Sequence, residues 1–138
     1  VWVSNGSWSK ELFKKISPYL DAVNIDLKSS QEKFYHKYCQ ARLQPVLENI
    51  KKLQNSGIWV EITTLIIRDL NDSKQIFTEL AQFIKTYLGP ETPWHISKFS
   101  GTISWKLQDF PATPKQTLYK AKHTGKTIGL KNIYLGNI

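Results

Sequence analysis

Ile58-Trp59-Val60-Glu61-Ile62-Thr63-Thr64-Leu65-Ile66-Ile67 is nearly continuous in apolar and β-branched residues. Such a run reads as a strand, and its continuity is that of a parallel strand covered on both faces. Its flanks support the reading. Upstream, Pro45 suits a first helical turn, Val46, Leu47, Ile50 and Leu53 form an apolar face, and Gly57 suits the C-terminal cap. Downstream, residues 68–71 turn, and Asp72 is placed to cap a long helix with Gln75 in the capping-box position. Phe77, Leu80, Ala81, Ile84 and Leu88 give that helix its buried stripe, and Gly89-Pro90 ends it.

The same alternation extends outward. Val1 to Val3 reads as a strand stopped by Asn5-Gly6. Ser9 caps a helix carrying Leu12, Ile16 and Leu20, whose regular part ends near Ser17 because Pro18 follows. Ala22 to Leu27 is a second strand, and Ser30 is placed to cap a short helix over Gln31 to Tyr38. Trp94 to Phe99 is another strand, followed by a long loop over residues 100–112. Thr113-Pro114-Lys115-Gln116 opens a helix running toward Gly125 or Gly129, and Asn132 to Leu135 is the last strand. Strands alternating with helices imply parallel pairing through right-handed crossovers, hence an α/β barrel or open sheet. No linker, repeat or low-complexity segment divides residues 1–138, which read as a single domain.

Several groups could do chemistry. Asp26 and Lys28 lie two apart at the end of an apolar strand and therefore share one side of the sheet. They make either a strand-end ion pair or a ligand clamp, since opposite charges there are costly without a partner. In α/β proteins the C-terminal strand ends are where ligands sit. Ser4-Asn5-Gly6 follows the first strand and is either a plain turn or a donor loop facing the same ligand. Glu61, inside the quoted strand, calls for a cation, with Lys28 and Lys98 as candidates; a structural ion pair and a catalytic role both fit. His36 and His123 fall on helix surfaces, while His95 on its strand fits either core or pocket; the three have no metal-type spacing. Cys39, the only cysteine, reads as a buried small residue on a helix away from the strand-end face, with a reactive thiol as the alternative. Trp8, Trp94 and Trp105 lie near expected loop boundaries, where they could shape a pocket or a docking surface.

Composition narrows the classes. One cysteine excludes an internal disulfide and an all-cysteine metal site. No apolar run approaches the roughly 20 residues of a membrane span, and a cytoplasmic setting is expected. The net charge of +8 invites a nucleic-acid reading. All but Arg42 and Arg68 of the 19 basic residues are lysines, scattered along the chain, which argues against it and for a solvated lysine-rich surface. Phosphate-binding loop, dinucleotide, nucleophile-elbow and zinc-protease motifs are absent.

A strand ending Ser4-Asn5-Gly6 precedes one ending Asp26-Leu27-Lys28, and Val60 to Ile67 leads into Asp69-Leu70-Asn71-Asp72. Phe34 to Cys39, Arg42 to Leu47, Pro93-Trp94-His95-Ile96-Ser97, Pro111 to Pro114 and Tyr134-Leu135-Gly136-Asn137 complete the set. In this order the motifs resemble the second half of a radical S-adenosylmethionine (SAM) enzyme of the pyruvate formate-lyase-activating type. The closer likeness is to the AmmeMemoRadiSam-system proteins. The resemblance implies a partial parallel (β/α) barrel: the third to sixth strands of a (β/α)6 core with a C-terminal extension. It implies a parent enzyme using SAM and a 4Fe-4S cluster, with the cluster motif and the cofactor's glycine-rich segment outside this chain. Ser4, Asn5, Asp26, Lys28 and Glu61 are then the expected cofactor-facing residues. Ser100 and Arg68 stand where such proteins commonly carry histidine and proline.

The implied partner is the missing N-terminal half of the barrel. The substrate, a protein or a small molecule, is not specified by these motifs. No methionine occurs, even at the start, which fits a portion of a longer chain. Such a portion alone is expected to hold no cluster and cleave no cofactor, and to associate or precipitate through the unblunted Val1-Trp2-Val3 edge. A stand-alone ligand- or partner-binding α/β module and a basic nucleic-acid-binding domain are the alternatives.

Overall fold

The computed structural model describes the backbone of residues 1–138 and every side chain but that of residue 103. Five strands, β1 (Trp2–Ser4), β2 (Ala22–Asp26), β3 (Trp59–Ile66), β4 (Trp94–Lys98) and β5 (Ile133–Gly136), form one sheet in chain order. All four strand pairs are parallel. The connections carry helices α1 (Lys10–Ile16), α2 (Glu32–Phe34), α3 (Leu43–Asn55), α4 (Lys74–Tyr87) and α5 (Lys115–Ile128). This is the α/β alternation the sequence implies.

The helices cover one face of the sheet. Val23, Ile25, Leu27, Val60, Ile62, Ile66, Trp94 and Ile96 are at most 3% exposed and pack against Val46, Ile50, Leu53, Phe77, Leu80, Ile84 and Leu118. The alternate residues Asn24, Asp26, Glu61, Thr63, Leu65, His95 and Ser97 are only partly buried. The expectation that β3 is covered on both faces is therefore corrected: its second face is polar and uncovered in this chain. Trp94 belongs to the core, fully buried, rather than to a loop-edge pocket. Its indole donates to Thr64 Oγ1 at 3.0 Å, and that hydroxyl donates to the Leu27 carbonyl at 2.8 Å, so one chain of bonds ties three strands together.

Helix α5 approaches Trp94 through Gly125. A Cβ there would lie 2.6 Å from Ile133 Cδ1 and 3.0 Å from Trp94 Cζ3. Gly125→Val is expected to destabilise the fold by about 2–3 kcal/mol, measured by urea unfolding, because overpacking displaces a rigid indole.

Most helix boundaries follow the sequence, with displaced caps. Ser73, not Asp72, caps α4 through Ile76 N, because the Asp72 carboxylate is taken by the Asp69 N–H at 3.1 Å. Ser30 caps nothing: its hydroxyl donates to Glu79 at 2.6 Å, and Gln31 precedes α2. Thr113 is likewise withdrawn, donating its hydroxyl to the Ile66 carbonyl at 2.6 Å, and α5 begins at Lys115. Short helix α2 continues into a π-helical turn over Tyr35–Cys39, closed by Gln40 in the left-handed region at φ 50°. Strand β1 pairs only with β2, leaving Val1 and Val3 exposed, and Trp2 stacks on Trp8 at 5.6 Å. Among the described residues no helix is long and apolar enough to cross a membrane.

Candidate functional site

Parallel strands bring their C-terminal ends to one rim, and the loops there build a pocket of about 210 Å³ lined by Asn5, Asp26, Lys28, Tyr35, Tyr38 and Cys39. Each side chain is placed by a local device. Asp26 ends β2, and Lys28 two residues on points to the same side, its Nζ 3.1 Å from Asp26 Oδ2. Both charged side chains are 34% exposed, so solvent screens the pair and it stays available to a ligand. The Lys28 N–H donates to the Tyr35 hydroxyl at 3.1 Å, fixing the π-helical turn over the rim. Burial pushes the Tyr35 phenol far up, with the Lys28 bond opposing, so the hydroxyl stays protonated. Burial also raises the Cys39 thiol, against the pull of Lys28. Cys39 thus lies in the pocket as a partly exposed thiol, not buried on a helix away from the strand ends: the π-helical turn swings it toward the pocket.

The turn after β1 needs its glycine. Gly6 has φ +72°, and a Cβ there would meet Ile25 Cγ2 at 3.0 Å and Val46 Cγ1 at 3.2 Å. Ser4 does not enter the pocket. Its register partner Ile25 faces the helices, and its hydroxyl accepts from Gly6 N and from Trp8 Nε1. It shapes the loop that presents Asn5, whose Oδ1 accepts from Ser7 N at 3.0 Å.

Glu61 lies on the uncovered face, level with Asn24 and so below the rim. Neither expected lysine is its partner. Lys28 pairs with Asp26, and Lys98 shares the parity of Trp94 and Ile96, on the helix side. Glu61 instead meets His95 Nε2 at 2.9 Å, with Trp59 Nε1 at 3.3 Å and Asn24 Nδ2 at 3.5 Å. Burial raises the Glu61 carboxyl, but the bonds from Trp59 and His95, the His95 charge and the Asn24 bond outweigh it, and the net shift is downward. A carboxyl lowered in the folded state stabilises above its ordinary value and loses that contribution as pH falls through the folded value. The stability difference between the protein and Glu61→Gln is therefore expected to be full at neutral pH and to vanish below the ordinary 4.5, as read from urea midpoints against pH.

Two buried asparagines complete the site. Asn49, at helical spacing from Val46, Ile50 and Leu53, donates from Nδ2 to the Gly6 and Trp8 carbonyls at 2.9 and 3.0 Å, clamping the Asn5 turn. Asn71 accepts from Ile67 N at 2.7 Å and donates to the Lys28 and Leu65 carbonyls at 2.6 and 2.9 Å. The sequence signal for Asn49 was a polar residue inside an apolar stripe. Asn71 carried none beyond its place in a turn.

A larger groove of about 650 Å³ lies between α4 and α5, floored by Phe77 and edged by Lys74, Tyr119 and Lys120. It lies between the two helices, includes residues at their N-terminal ends, and gathers none of Asn5, Asp26, Lys28 and Cys39. Among the described residues no group of three or more histidines, cysteines and carboxylates is placed to hold a metal ion.

No protein-family model matches the chain. It is 41% identical over 138 residues to an uncharacterized protein of Methanocaldococcus jannaschii, covering all of this chain and 40% of that protein. The chain thus spans about two fifths of that curated relative. Among solved structures it resembles a domain of pyruvate-formate lyase-activating enzyme from Bacteroides vulgatus ATCC 8482, with TM-score 0.80 and 16% identity over 99% of this chain and 80% of that one. It also resembles a radical SAM methyltransferase from Sphaerobacter thermophilus, with TM-score 0.70 and 12% identity over 97% of this chain and 39% of that one. At these identities the likeness is one of fold: the parallel β/α arrangement of the radical SAM barrel type.

Proposed function

We propose that this chain is the C-terminal portion of a radical SAM enzyme of the pyruvate formate-lyase-activating type, and that its strand-end pocket forms part of the SAM site. The observation that carries the reading is the convergence of Asn5, Asp26 and Lys28 on one pocket at neighbouring parallel strand ends. The motif order from Phe34 to Asn137 favours the AmmeMemoRadiSam-system group within that class.

The pocket chemistry suits a zwitterionic nucleoside ligand. Lys28 offers an ammonium to a carboxylate or ribose oxygen, Asp26 accepts from an amine or hydroxyl, and Asn5 offers an amide. At about 210 Å³ the pocket is smaller than the roughly 300 Å³ at which small-molecule sites begin, so it holds only part of such a ligand. The remaining contacts come, in this reading, from the N-terminal half of the barrel. Together SAM and a four-iron cluster supply one-electron chemistry. The residues present do not fit the cluster, since Cys39 is the single thiol. Its ligands belong to the same missing half, and an oxygen-sensitive centre of that kind suits a cytoplasmic setting.

The test uses the longest natural chain that carries these residues, reconstituted anaerobically with iron and sulfide and reduced. It is expected to form 5′-deoxyadenosine from SAM. Lys28→Ala should raise KM for SAM about tenfold, the effect of one lost charge-assisted contact, with a smaller change in kcat. No 5′-deoxyadenosine from a cluster-loaded protein would sink the proposal, and an unchanged KM would remove Lys28 from the site.

A further inference from the structure

Glu61, His95 and Tyr134 stand on the uncovered face, on β3, β4 and β5, with His95 and Tyr134 level with Asp26 across the sheet and Glu61 two residues lower on β3. An ionised carboxylate only accepts hydrogen bonds, so the Glu61 contact at 2.9 Å makes His95 Nε2 the donor. In the neutral ring Nδ1 is then a lone-pair acceptor. It takes no hydrogen bond from the described residues. The ring is held from a second side by Tyr134, stacked at 5.3 Å between centroids with 23° between planes. Level with it on β3, Thr63 donates from Oγ1 to Asn24 Oδ1 at 2.7 Å, which turns the Asn24 amide toward Glu61.

Charge narrows what such an acceptor selects. On this face Asp26 and Lys28 neutralise one another, which leaves the Glu61 carboxylate as the unmatched acidic side chain beside the His95 ring, on a chain of net charge +8. A phosphate or carboxylate is disfavoured there. A cation gains from Glu61, from Nδ1 and from the half-exposed face of the Tyr134 ring. We propose that the Glu61–His95–Tyr134 cluster is a second binding site, distinct from the strand-end pocket, and that it takes a ligand carrying an ammonium group. His95 Nδ1 accepts the ammonium N–H, Tyr134 lies against the cation, and Glu61 is a positioning residue that fixes the imidazole tautomer. The site uses none of Asn5, Asp26 or Lys28, so it stands whether or not SAM binds in the strand-end pocket.

The test is a titration of the natural full chain, labelled with ¹⁵N histidine, by three matched probes: 1,4-diaminobutane, butane-1,4-diol and succinate. His95 is assigned by loss of its signals in His95→Gln. In the unliganded protein the ring should show the Nε2–H tautomer, and Glu61→Gln should mix the two tautomers, a change that a purely structural role for Glu61 would not require. Diaminobutane should shift the His95 ring and Tyr134 ring signals saturably. The diol and succinate should not, and Glu61→Gln should weaken the amine response at least about tenfold. An Nδ1–H tautomer, an equal response to diol or succinate, or no saturable amine shift at either ring would overturn the proposal. Should Glu61→Gln fail to fold, the probe comparison in the unmutated protein decides alone. Neither result depends on SAM cleavage, so failure here and failure of the proposed function are separable.

Discussion

Trp94→Ala is expected to cost about 3–5 kcal/mol of folding stability, a large share of the roughly 5–15 kcal/mol a domain possesses. The indole is fully buried between the sheet and α5, and Gly125 leaves it no room to be replaced from the helix side. Its removal opens a cavity that the close-packed Ile133 and Gly125 cannot collapse into without moving α5. The Thr64 hydroxyl also loses its donor, though it keeps its own bond to Leu27. Trp94→Phe separates the contributions. It preserves most of the volume and loses the N–H, and should cost only about 1–2 kcal/mol. Chemical unfolding of both variants measures this, and equal losses would mean that the hydrogen bond, rather than the packing, dominates.

Asn71→Ala is expected to cost about 2–4 kcal/mol, because it orphans the Ile67 N–H and the Lys28 and Leu65 carbonyls in a site with no exposure at Asn71. Asn71→Asp is the sharper test. It retains the acceptor for Ile67 but turns a carboxylate oxygen toward two carbonyls, so its loss should be at least as large. The effect reaches the site, since the Lys28 carbonyl is one of the two. The rim should loosen in both variants, seen as faster amide exchange at Lys28 and Ser29 than in Trp94→Phe at matched stability.

The parallel alternation was legible because it rests on local signals: a β-branched run from Ile58, amphipathic helices on either side, and glycines and prolines at the breaks. The parity of Asp26 and Lys28 was legible for the same reason. What sequence could not fix was non-local. Whether Glu61 met Lys28, Lys98 or His95 depends on the register of β3 against β4, and one residue of slip would exchange His95 for its neighbours. Cap positions moved by a residue wherever a rival partner outcompeted the helix terminus, as Asp69 did for Asp72 and Glu79 for Ser30. The π-helical turn that carries Cys39 into the pocket has no periodicity of its own. The likeness of fold followed from the order of several motifs, none of which was specific alone.

The central claim is that the rim pocket, rather than the larger groove on the helix side, receives SAM. The most direct measurement is a chemical-shift map of the longest natural chain carrying these residues, titrated with SAM in the absence of reductant. The account predicts saturable shifts at the amides of Asn5, Lys28 and Cys39, and none at Phe77 or Lys120. Shifts at Phe77 and Lys120 with Asn5 and Lys28 unmoved would contradict it.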